Sequence, residues 1–224
     1  MRYIQILIQL LLFLLPWRIR RLLLQALFGW TIGPGAKIGF SVMLVEQVKL
    51  ASNAQIGHLN IIKGLSSLDL GEASLIGNLN WITANPASGA RHFVEDTNRY
   101  PSLTVGKHAA ITHRHLVDCT DRVEIGEFST FGGWRSQILT HSIDVGMGRQ
   151  SATPVSIGRF CFVGTGVVIL KGSRLPDYSI LGAGSVLTKP MTEPYTLYSG
   201  VPAASVSELD KDSKYFTRDT GYVD

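Results

Sequence analysis

The chain has little of what marks several large classes of protein. Its only two cysteines, Cys119 and Cys161, form neither a CxxC pair nor a disulfide framework. We therefore expect reduced, buried thiols. Charged residues make up 17% of the 224 residues, and most of the net charge of +4 lies in one arginine-rich stretch, R-I-R-R at 18–21. A basic excess this small and local does not indicate a nucleic-acid-binding protein.

The sequence also lacks an apolar run long enough to cross a bilayer. The apolar stretch from Tyr3 to Leu15 ends at Pro16, whereas a spanning helix needs about 20 such residues. No small-residue cleavage site of a signal peptide follows. Residues 1–30 are predicted to form two short amphipathic helices at a membrane surface, with Trp17 and Trp30 at headgroup depth and the arginines facing anionic lipid. Packing of these helices between subunits is the alternative.

What the sequence does contain is a six-residue repeat. From Val155 to Pro190 an aliphatic residue recurs at every sixth position, namely Ile157, Val163, Ile169, Leu175, Leu181 and Leu187. A period of six fits neither an amphipathic helix nor one alternating strand. It fits a chain that turns every six residues, so that three short strands make one coil and successive coils stack on a shared core. The sequence therefore predicts an all-β solenoid.

The same repeat defines the domain organisation. It starts at Ile32, keeps its step through Leu44 to Leu68, and then slips by two to Leu70, which predicts two extra residues at a corner. Two stretches without the repeat, 83–101 and 140–154, are predicted to be loops thrown out of the solenoid. The solenoid domain covers 31–206. The charged tail 207–224 is predicted to form a short helix or to fray.

Three segments carry a resemblance to a known family. They are T-H-S-I-D at 140–144, G-A-G-S-V-L-T-K-P at 182–190 and S-G-V-P-A at 199–203. With the repeat, they resemble the hexapeptide-repeat acyltransferases, and most closely the branch of maltose, galactoside and streptogramin O-acetyltransferases. The resemblance implies a left-handed parallel β-helix, a departure from the usual right-handed crossover. It also implies acetyl-CoA as acyl donor and a homotrimer with three active sites between neighbouring subunits.

The resemblance assigns the general base to His141. A sugar hydroxyl attacks a thioester poorly, and a neutral imidazole that accepts its proton contributes about 10²–10⁴-fold in rate. Thr140 precedes this histidine as in the family, whereas Ser142 stands where the family often has proline. Asp144 either orients the imidazole or holds the loop.

Further contacts are implied by the same motifs. Coenzyme A in this family lies along a groove between C-terminal coils, and the matching positions here are Thr165, Ala183, Thr188 and Lys189. Lys189 is expected to meet phosphate as a point charge. Trp134, shortly before the histidine loop, either stacks on the acceptor sugar or is a core or interface aromatic.

Two more histidines have alternative interpretations. His113 and His115 either border the acceptor pocket or have a structural role. The segment G-K-H-A-A-I-T-H also resembles the zinc-binding pattern of γ-class carbonic anhydrases, but a third protein ligand is not evident. No metal site is therefore assigned.

These features predict an acetyl-CoA-dependent O-acetyltransferase. The N-terminal segment suggests an acceptor at the cytoplasmic face of the plasma membrane, a sugar hydroxyl of a cell-surface polysaccharide or lipid-linked glycan precursor. The protein would then be peripheral on that membrane. A zinc enzyme like the γ-carbonic anhydrases and a non-catalytic membrane scaffold are the alternatives.

Overall fold

The strands form three parallel sheets around one core. The computed structural model describes residues 2–87, 92–93, 95–96 and 98–223, with elements numbered in chain order. Sheet A contains β1 (Thr31–Ile32), β4 (Gln47–Leu50), β7 (Ser67–Leu70), β10 (Ser102–Val105), β13 (Val123–Ile125), β18 (Val155–Ile157) and β21 (Arg174–Leu175). Sheet C contains β3 (Val42–Leu44), β6 (Ile61–Lys63), β9 (Trp81–Thr83), β12 (Leu116–Asp118), β15 (Gln137–Leu139), β20 (Val168–Leu170) and β23 (Val186–Leu187).

Sheet B ends in an antiparallel hairpin. Its parallel strands are β2 (Lys37–Ile38), β5 (Gln55–Ile56), β8 (Leu75–Ile76), β11 (Ala110–Ile111), β14 (Thr130–Phe131), β19 (Phe162–Val163) and β22 (Ile180–Leu181). β24 (Thr196–Gly200) pairs in parallel with β22 and antiparallel with β25 (Ala203–Glu208). The S-G-V-P-A segment forms the turn of this hairpin.

Each turn of the solenoid supplies one strand to each sheet. Val117 pairs with Ile138, which pairs in turn with Ile169 on the next coil. The six aliphatic positions of the C-terminal repeat are all buried, and each covers the core that its neighbour would otherwise expose. The prediction of an all-β left-handed parallel β-helix is confirmed.

Two details of the repeat were predicted wrongly. The inward residue of β3 is Met43, which is fully buried, and not Leu44, because the preceding corner is one residue shorter than in the next coil. The slip of two residues is not a longer corner. Leu68 and Leu70 lie on the same strand and both point inward, as alternate residues of a strand do.

The N-terminal segment forms two helices that cover the open end of the solenoid. They are α1 (Arg2–Leu12) and α2 (Trp17–Phe28). Gln9 of α1 donates to Met43 O at 2.7 Å and accepts from Met43 N at 2.9 Å, and so satisfies the free edge of β3. Leu12 and Leu24 are buried against the first coil. Terminal repeats need such a cap, since their outer face has no neighbouring coil.

Part of the predicted membrane-facing surface instead packs against the first coil, so that prediction was partly wrong. Trp30 is only 3% exposed and contacts Phe28, so it belongs to the core and not to a headgroup layer. Arg20 is buried, and Arg21 donates to Ile32 O at 2.6 Å. Of the arginines, Arg18 faces outward. Among the described residues, no helix has the length and apolar character needed to span a bilayer.

The tail packs against a ladder of aromatic rings at the corner that precedes sheet B. Phe128, Phe160 and Tyr178 stack on successive coils with ring centroids 4.7 and 5.3 Å apart. The tail forms α3 (Lys214–Thr217), whose Phe216 lies edge-on to Tyr178. The predicted short helix is therefore present and holds the tail against the solenoid.

Candidate active site

His141 lies at the edge where the chain leaves sheet C. It begins β16 (His141–Asp144), which pairs antiparallel with β17 (Arg149–Ala152) to form a hairpin that projects from the coil. Asp118, the last residue of β12, lies on the preceding coil. Its Oδ2 is 2.7 Å from Nδ1 of His141, and the Asp118 side chain is 8% exposed against 31% for His141. A buried carboxylate and a half-buried imidazole are thus paired at this edge.

The surroundings of Asp118 keep its carboxylate ionised. Oδ2 also accepts from the Thr140 N–H at 2.9 Å and hydroxyl at 2.9 Å, and Oδ1 accepts from the Thr120 hydroxyl at 2.6 Å. Burial alone would raise the pKa of Asp118, but hydrogen bonds from His141, Thr120 and Thr140 and the nearby imidazole outweigh burial and lower it. An ionised carboxylate only accepts hydrogen bonds, so Nδ1 of His141 carries the proton and Nε2 is left as an acceptor.

The predicted alternatives for Asp144 are thereby separated. Its Oδ1 accepts from the Met147 N–H at 3.0 Å in the turn between β16 and β17. Asp144 therefore holds the hairpin, while the contact with the imidazole belongs to Asp118. Sequence reasoning missed Asp118 because 23 residues separate it from His141. Its one signal was its position at the end of a sheet C strand, one coil before the histidine.

Three described residues of the stretch 83–101, namely Phe93, Glu95 and Asp96, contact this hairpin. Residues 88–91, 94 and 97 lie outside the described part of the chain. The ring of Phe93 lies edge-on to His141 at 5.8 Å. Asp96 Oδ2 accepts from Ala152 N at 2.8 Å, and Glu95 pairs with Arg149. The two predicted loops therefore form one structure beside the candidate base.

A cleft of about 390 Å³ lies between these two segments. Its walls include His92 and Phe93 from the first segment and Ile143, Arg149 and Gln150 from the hairpin. An aromatic wall with a few polar groups is the usual lining of a small-molecule site. Because Phe93 contacts His141, the cleft and the imidazole are adjacent.

The residues expected to hold coenzyme A lie at two different edges of sheet C. Thr165 and Ala183 are at the corner before the sheet, on successive coils joined by a bond from Gly184 N to Thr165 O at 2.9 Å. The corner glycines Gly166 and Gly184 have no neighbouring atom within 4 Å of where a Cβ would lie, so this corner is open. Thr188 and Lys189 follow β23 at the opposite edge, on the side of His141, and both are exposed.

Trp134 lies at the first of these corners, one coil before Thr165. Its side chain is 52% exposed, with the guanidinium of Arg114 at 4.8 Å from the ring. The main-chain N–H of Trp134 donates to the Thr165 hydroxyl at 3.0 Å. The core alternative for Trp134 is therefore wrong, and its ring remains available for a sugar or a neighbouring subunit.

His113 and His115 have different surroundings. Nδ1 of His113 accepts from Asn78 N at 2.9 Å at the surface of the same corner. His115 is 2% exposed and its Nδ1 accepts from Ser136 N at 3.2 Å, which favours the structural role. No three His, Cys, Asp or Glu side chains within the described ranges are grouped closely enough to hold one metal ion.

The burial of the His115 imidazole predicts how the stability of the fold depends on pH. Burial, with a smaller contribution from His113, lowers its pKa to about 4 from 6.5. Below pH 6.5 the imidazole of residue 115 binds a proton in the unfolded chain but stays neutral in the folded chain. The contribution of this group to the free energy of unfolding is therefore highest above pH 6.5 and decreases as the pH falls toward 4. In His115→Asn the new amide oxygen can accept from Ser136 N, as Asn80 Oδ1 accepts from His115 N at 2.9 Å. Urea unfolding is expected to show a weaker loss of stability from pH 7 to 5 in this variant, and an identical pH dependence would contradict this role.

Comparison with solved structures agrees with the coils described above. A hexapeptide transferase family protein from Anaplasma phagocytophilum superposes with a TM-score of 0.50 at 17% identity, over 84% of this chain and 82% of the other. AntD, an N-acyltransferase from Bacillus cereus in complex with dTDP-4-amino-4,6-dideoxyglucose and coenzyme A, gives a TM-score of 0.50 at 14% identity, over 80% and 84%. This chain has the hexapeptide-repeat fold.

Sequence relatives are shorter matches within that fold. Galactoside O-acetyltransferase of Escherichia coli (strain K12) is 36% identical over 73 residues, which is 32% of this chain and 36% of that enzyme. A putative acetyltransferase of Schizosaccharomyces pombe is 32% identical over 76 residues, 33% and 36% of the two chains. The chain thus matches about a third of the length of these relatives. No protein-family profile matches it. The resemblance to acetyltransferases of the hexapeptide-repeat type is confirmed.

Proposed function

We propose that this protein is an acetyl-CoA-dependent O-acetyltransferase that acts on a sugar hydroxyl, with His141 as general base. The observation that carries the proposal is the pair formed by His141 and Asp118, in which Nδ1 is engaged at 2.7 Å and Nε2 is left as an acceptor. The hexapeptide-repeat fold and the similarity to a galactoside O-acetyltransferase over 73 residues support it. The reaction needs one proton acceptor beside a cleft that can hold the acceptor hydroxyl.

Transfer would proceed directly from the thioester to the hydroxyl. Nε2 of His141 accepts the hydroxyl proton as the oxygen attacks the thioester carbonyl, and the carboxylate of Asp118 stabilises the imidazolium that forms. Main-chain N–H groups at a coil corner would stabilise the oxyanion. The carbon–sulfur bond then breaks. The thiolate of coenzyme A leaves and takes up the proton from Nε2, which regenerates the neutral imidazole. Each atom that moves is supplied by the two substrates.

A homotrimer would complete the site. The expected coenzyme A contacts lie at both edges of sheet C, with Thr165 and Ala183 at one edge and Thr188 and Lys189 at the other. The extended chain between the two edges spans up to about 17 Å. Coenzyme A can follow the open corner at Gly166 and Gly184, while Lys189 meets a phosphate. If three subunits pack side by side, the Thr165 edge of one subunit approaches the His141 edge of the next. Trp134, on that first edge, would then face the acceptor.

The acceptor we propose is a sugar of a cell-surface polysaccharide or of a lipid-linked glycan precursor. The cleft beside His141 has an aromatic wall and polar groups from Arg149 and Gln150, a composition that suits a sugar ring. AntD was solved with a nucleotide-linked sugar on the same fold, which supports a glycan acceptor. The test is release of free thiol from acetyl-CoA with soluble sugars, nucleotide-linked sugars and lipid-linked glycans in parallel. Thiol release that none of these acceptors accelerates would refute the proposal.

Membrane association is proposed for the outer surface of the two N-terminal helices. Large apolar side chains remain exposed there after the cap has formed, namely Tyr3 (88%), Ile4 (61%), Leu7 (58%), Leu11 (58%), Leu14 (82%) and Leu22 (67%). Ile4, Leu7 and Leu11 recur at the three- and four-residue spacing of one face of α1. An exposed apolar helix face of this kind can lie at a bilayer boundary. A peripheral location on the cytoplasmic face of the plasma membrane would place the enzyme beside acetyl-CoA and a lipid-linked acceptor.

A double substitution tests this surface without touching the cap. Leu11→Glu with Leu14→Glu removes two exposed leucines, and the membrane-bound fraction is expected to fall at least about tenfold. Val206→Glu, at a side chain 61% exposed on β25, is the matched control and should leave that fraction unchanged. An unchanged membrane fraction in the double variant would contradict the proposal. So would a loss of oligomers with no change in membrane binding, because it would assign the surface to subunit packing.

A further inference from the structure

A groove separate from the His141 cleft lies where the helical cap meets the corner before sheet C. It has a volume of about 680 Å³. One side is formed by the junction of α1 and α2, Leu15 to Trp17, and the other by side chains at the corners of the first coils. None of the described residues that line it is acidic. The groove is therefore a surface with one sign of charge.

Two histidines present hydrogen-bond donors to this groove. Nδ1 of His58 accepts from Phe40 N at 3.2 Å, and Nδ1 of His113 accepts from Asn78 N at 2.9 Å. While these bonds hold, each neutral ring carries its proton on Nε2, on the side opposite the backbone bond. Both rings line the groove. Asn78 plays the same part at the corner of the coil between them, where its Oδ1 accepts from His58 N at 2.7 Å. At each of these corners a side-chain atom accepts a hydrogen bond from a main-chain N–H of the preceding coil.

A buried cation that has no ion-pair partner among the described residues lies beneath the same groove. Arg20 is 5% exposed and is packed against the rings of Trp17 and Phe40 at 4.9 and 5.5 Å. Its terminal nitrogen donates to the carbonyls of Ile38 and Gly39, while its Nε has no partner among the described residues. No ion pair within the described ranges includes Arg20 or Lys37. A buried charge without a counter-ion is costly, and an anion in the groove would offset that cost.

The start of α2 adds main-chain N–H donors to the positive charge beside the groove. Its cap residue is Pro16, which makes no side-chain capping bond, and its first turn holds no acidic residue. The first N–H groups of a helix have no partner within the helix, and they favour an anion. Leu15, Pro16 and Trp17 line the groove. The helix terminus, the guanidinium of Arg20, Lys37 and the two imidazoles therefore all line one groove.

We propose that this groove binds a phosphate group, with Lys37, His58 and His113 as its contacts and Arg20 as the fixed charge beneath it. The inference does not depend on acetyl transfer. It rests on the membrane proposal only for the source of the phosphate. Leu14 is 82% exposed and directly precedes Leu15, which lines the groove, and this favours a phosphate carried by a lipid, as a headgroup or in a lipid-linked glycan. A soluble phosphate compound is the other source, and the experiment separates the two.

The experiment uses the full chain and two conservative variants. His58→Asn with His113→Asn keeps the corner bonds, since asparagine already accepts such a bond at position 78. It replaces each imidazole Nε2–H with an amide NH₂ that lies closer to the backbone and farther from the groove. Lys37→Gln removes one charge, and Lys49→Gln, at an exposed lysine of β4 away from the groove, removes the same charge as a control. The probes are inorganic pyrophosphate, followed by thermal shift, and vesicles of phosphatidylcholine with or without phosphatidic acid, followed by co-sedimentation.

The wild-type chain and the Lys49→Gln variant are expected to bind phosphatidic acid vesicles, and the paired asparagine variant and Lys37→Gln to bind them about tenfold more weakly. Additional stabilisation by pyrophosphate in the wild type, lost in the same variants, would support a general phosphate site. Binding to vesicles alone would support a lipid source. Equal binding by the wild type and the paired asparagine variant would overturn the proposal, as would no response of the wild type to either probe. The pyrophosphate arm does not need the membrane surface, so the two proposals fail separately.

Discussion

Replacing His141 with alanine is expected to lower the rate of acetyl transfer by about 10²–10⁴-fold, the contribution of a positioned general base. The imidazole is half-buried, and its hydrogen bond among the described residues is to Asp118, so the coils should remain folded. Affinity for acetyl-CoA should be unchanged, because the expected donor contacts lie at Thr165, Ala183, Thr188 and Lys189. The measurement is kcat and KM from thiol release, with circular dichroism as the check on folding.

Free imidazole provides an internal control for this variant. Phe93 lines the cleft and also contacts the His141 ring, so we expect imidazole in solution to reach the vacated space and to restore part of the lost rate without changing the wild-type rate. A rate that survives the substitution would contradict the general-base role. A loss of rate that follows loss of folding, or of acetyl-CoA binding, would assign His141 to structure or to donor binding instead.

Replacing Asp118 with asparagine is expected to have the second largest effect. Both carboxylate oxygens accept hydrogen bonds, Oδ1 from Thr120 and Oδ2 from Thr140 and His141. An amide NH₂ must face one of these two sets of donors, so at least one bond becomes a donor–donor contact. Transfer should fall about 10²-fold or more because the imidazole loses its tautomer and its counter-charge. The free energy of unfolding should fall by about 2–3 kcal/mol.

Asp144→Asn is the matched control for this substitution. Its side chain supports the hairpin turn through Met147 N, and asparagine can make the same bond through its amide oxygen. We expect a near wild-type rate. If Asp144→Asn removed activity while Asp118→Asn retained it, the assignment of the orienting carboxylate would be reversed.

The sequence predicts the solenoid well because the repeat is read directly from spacing. Every inward position of the last coils, from Ile157 to Leu187, is buried as expected. Spacing does not reveal how many residues a corner uses, and for this reason Met43 and not Leu44 points inward. Nor does it show that Leu68 and Leu70 share a strand. Leu68 follows the six-residue repeat, whereas Leu70 points inward because alternate residues of a strand share a face.

The candidate site is less predictable because it joins residues from different coils. Asp118 and His141 become neighbours only when two coils stack, and Phe93 reaches His141 only when the 83–101 stretch folds back on the hairpin. The cap shows the same limit. Amphipathicity identified the helices, but only packing shows that Arg20 and Trp30 face the first coil while Leu14 faces outward.

The division of the predicted donor contacts between two edges of sheet C explains why a trimer matters to the proposal. Within one chain, Thr165 and Ala183 lie at the edge opposite His141. A site that needs both edges is completed by a neighbouring subunit. Activity should therefore follow the concentration of the assembled trimer, and a dilution series that separates the subunits would lower the specific activity.

The most direct test of the central claim is isothermal titration of the detergent-purified full-length chain with acetyl-CoA, together with metal analysis of the same sample. The account predicts saturable binding in the micromolar range, with one site per subunit in the assembled protein and the same affinity in His141→Ala. Absence of acetyl-CoA binding would contradict it. Stoichiometric zinc in that non-binding sample would favour the carbonic-anhydrase-like alternative, and neither signal would favour a non-catalytic scaffold.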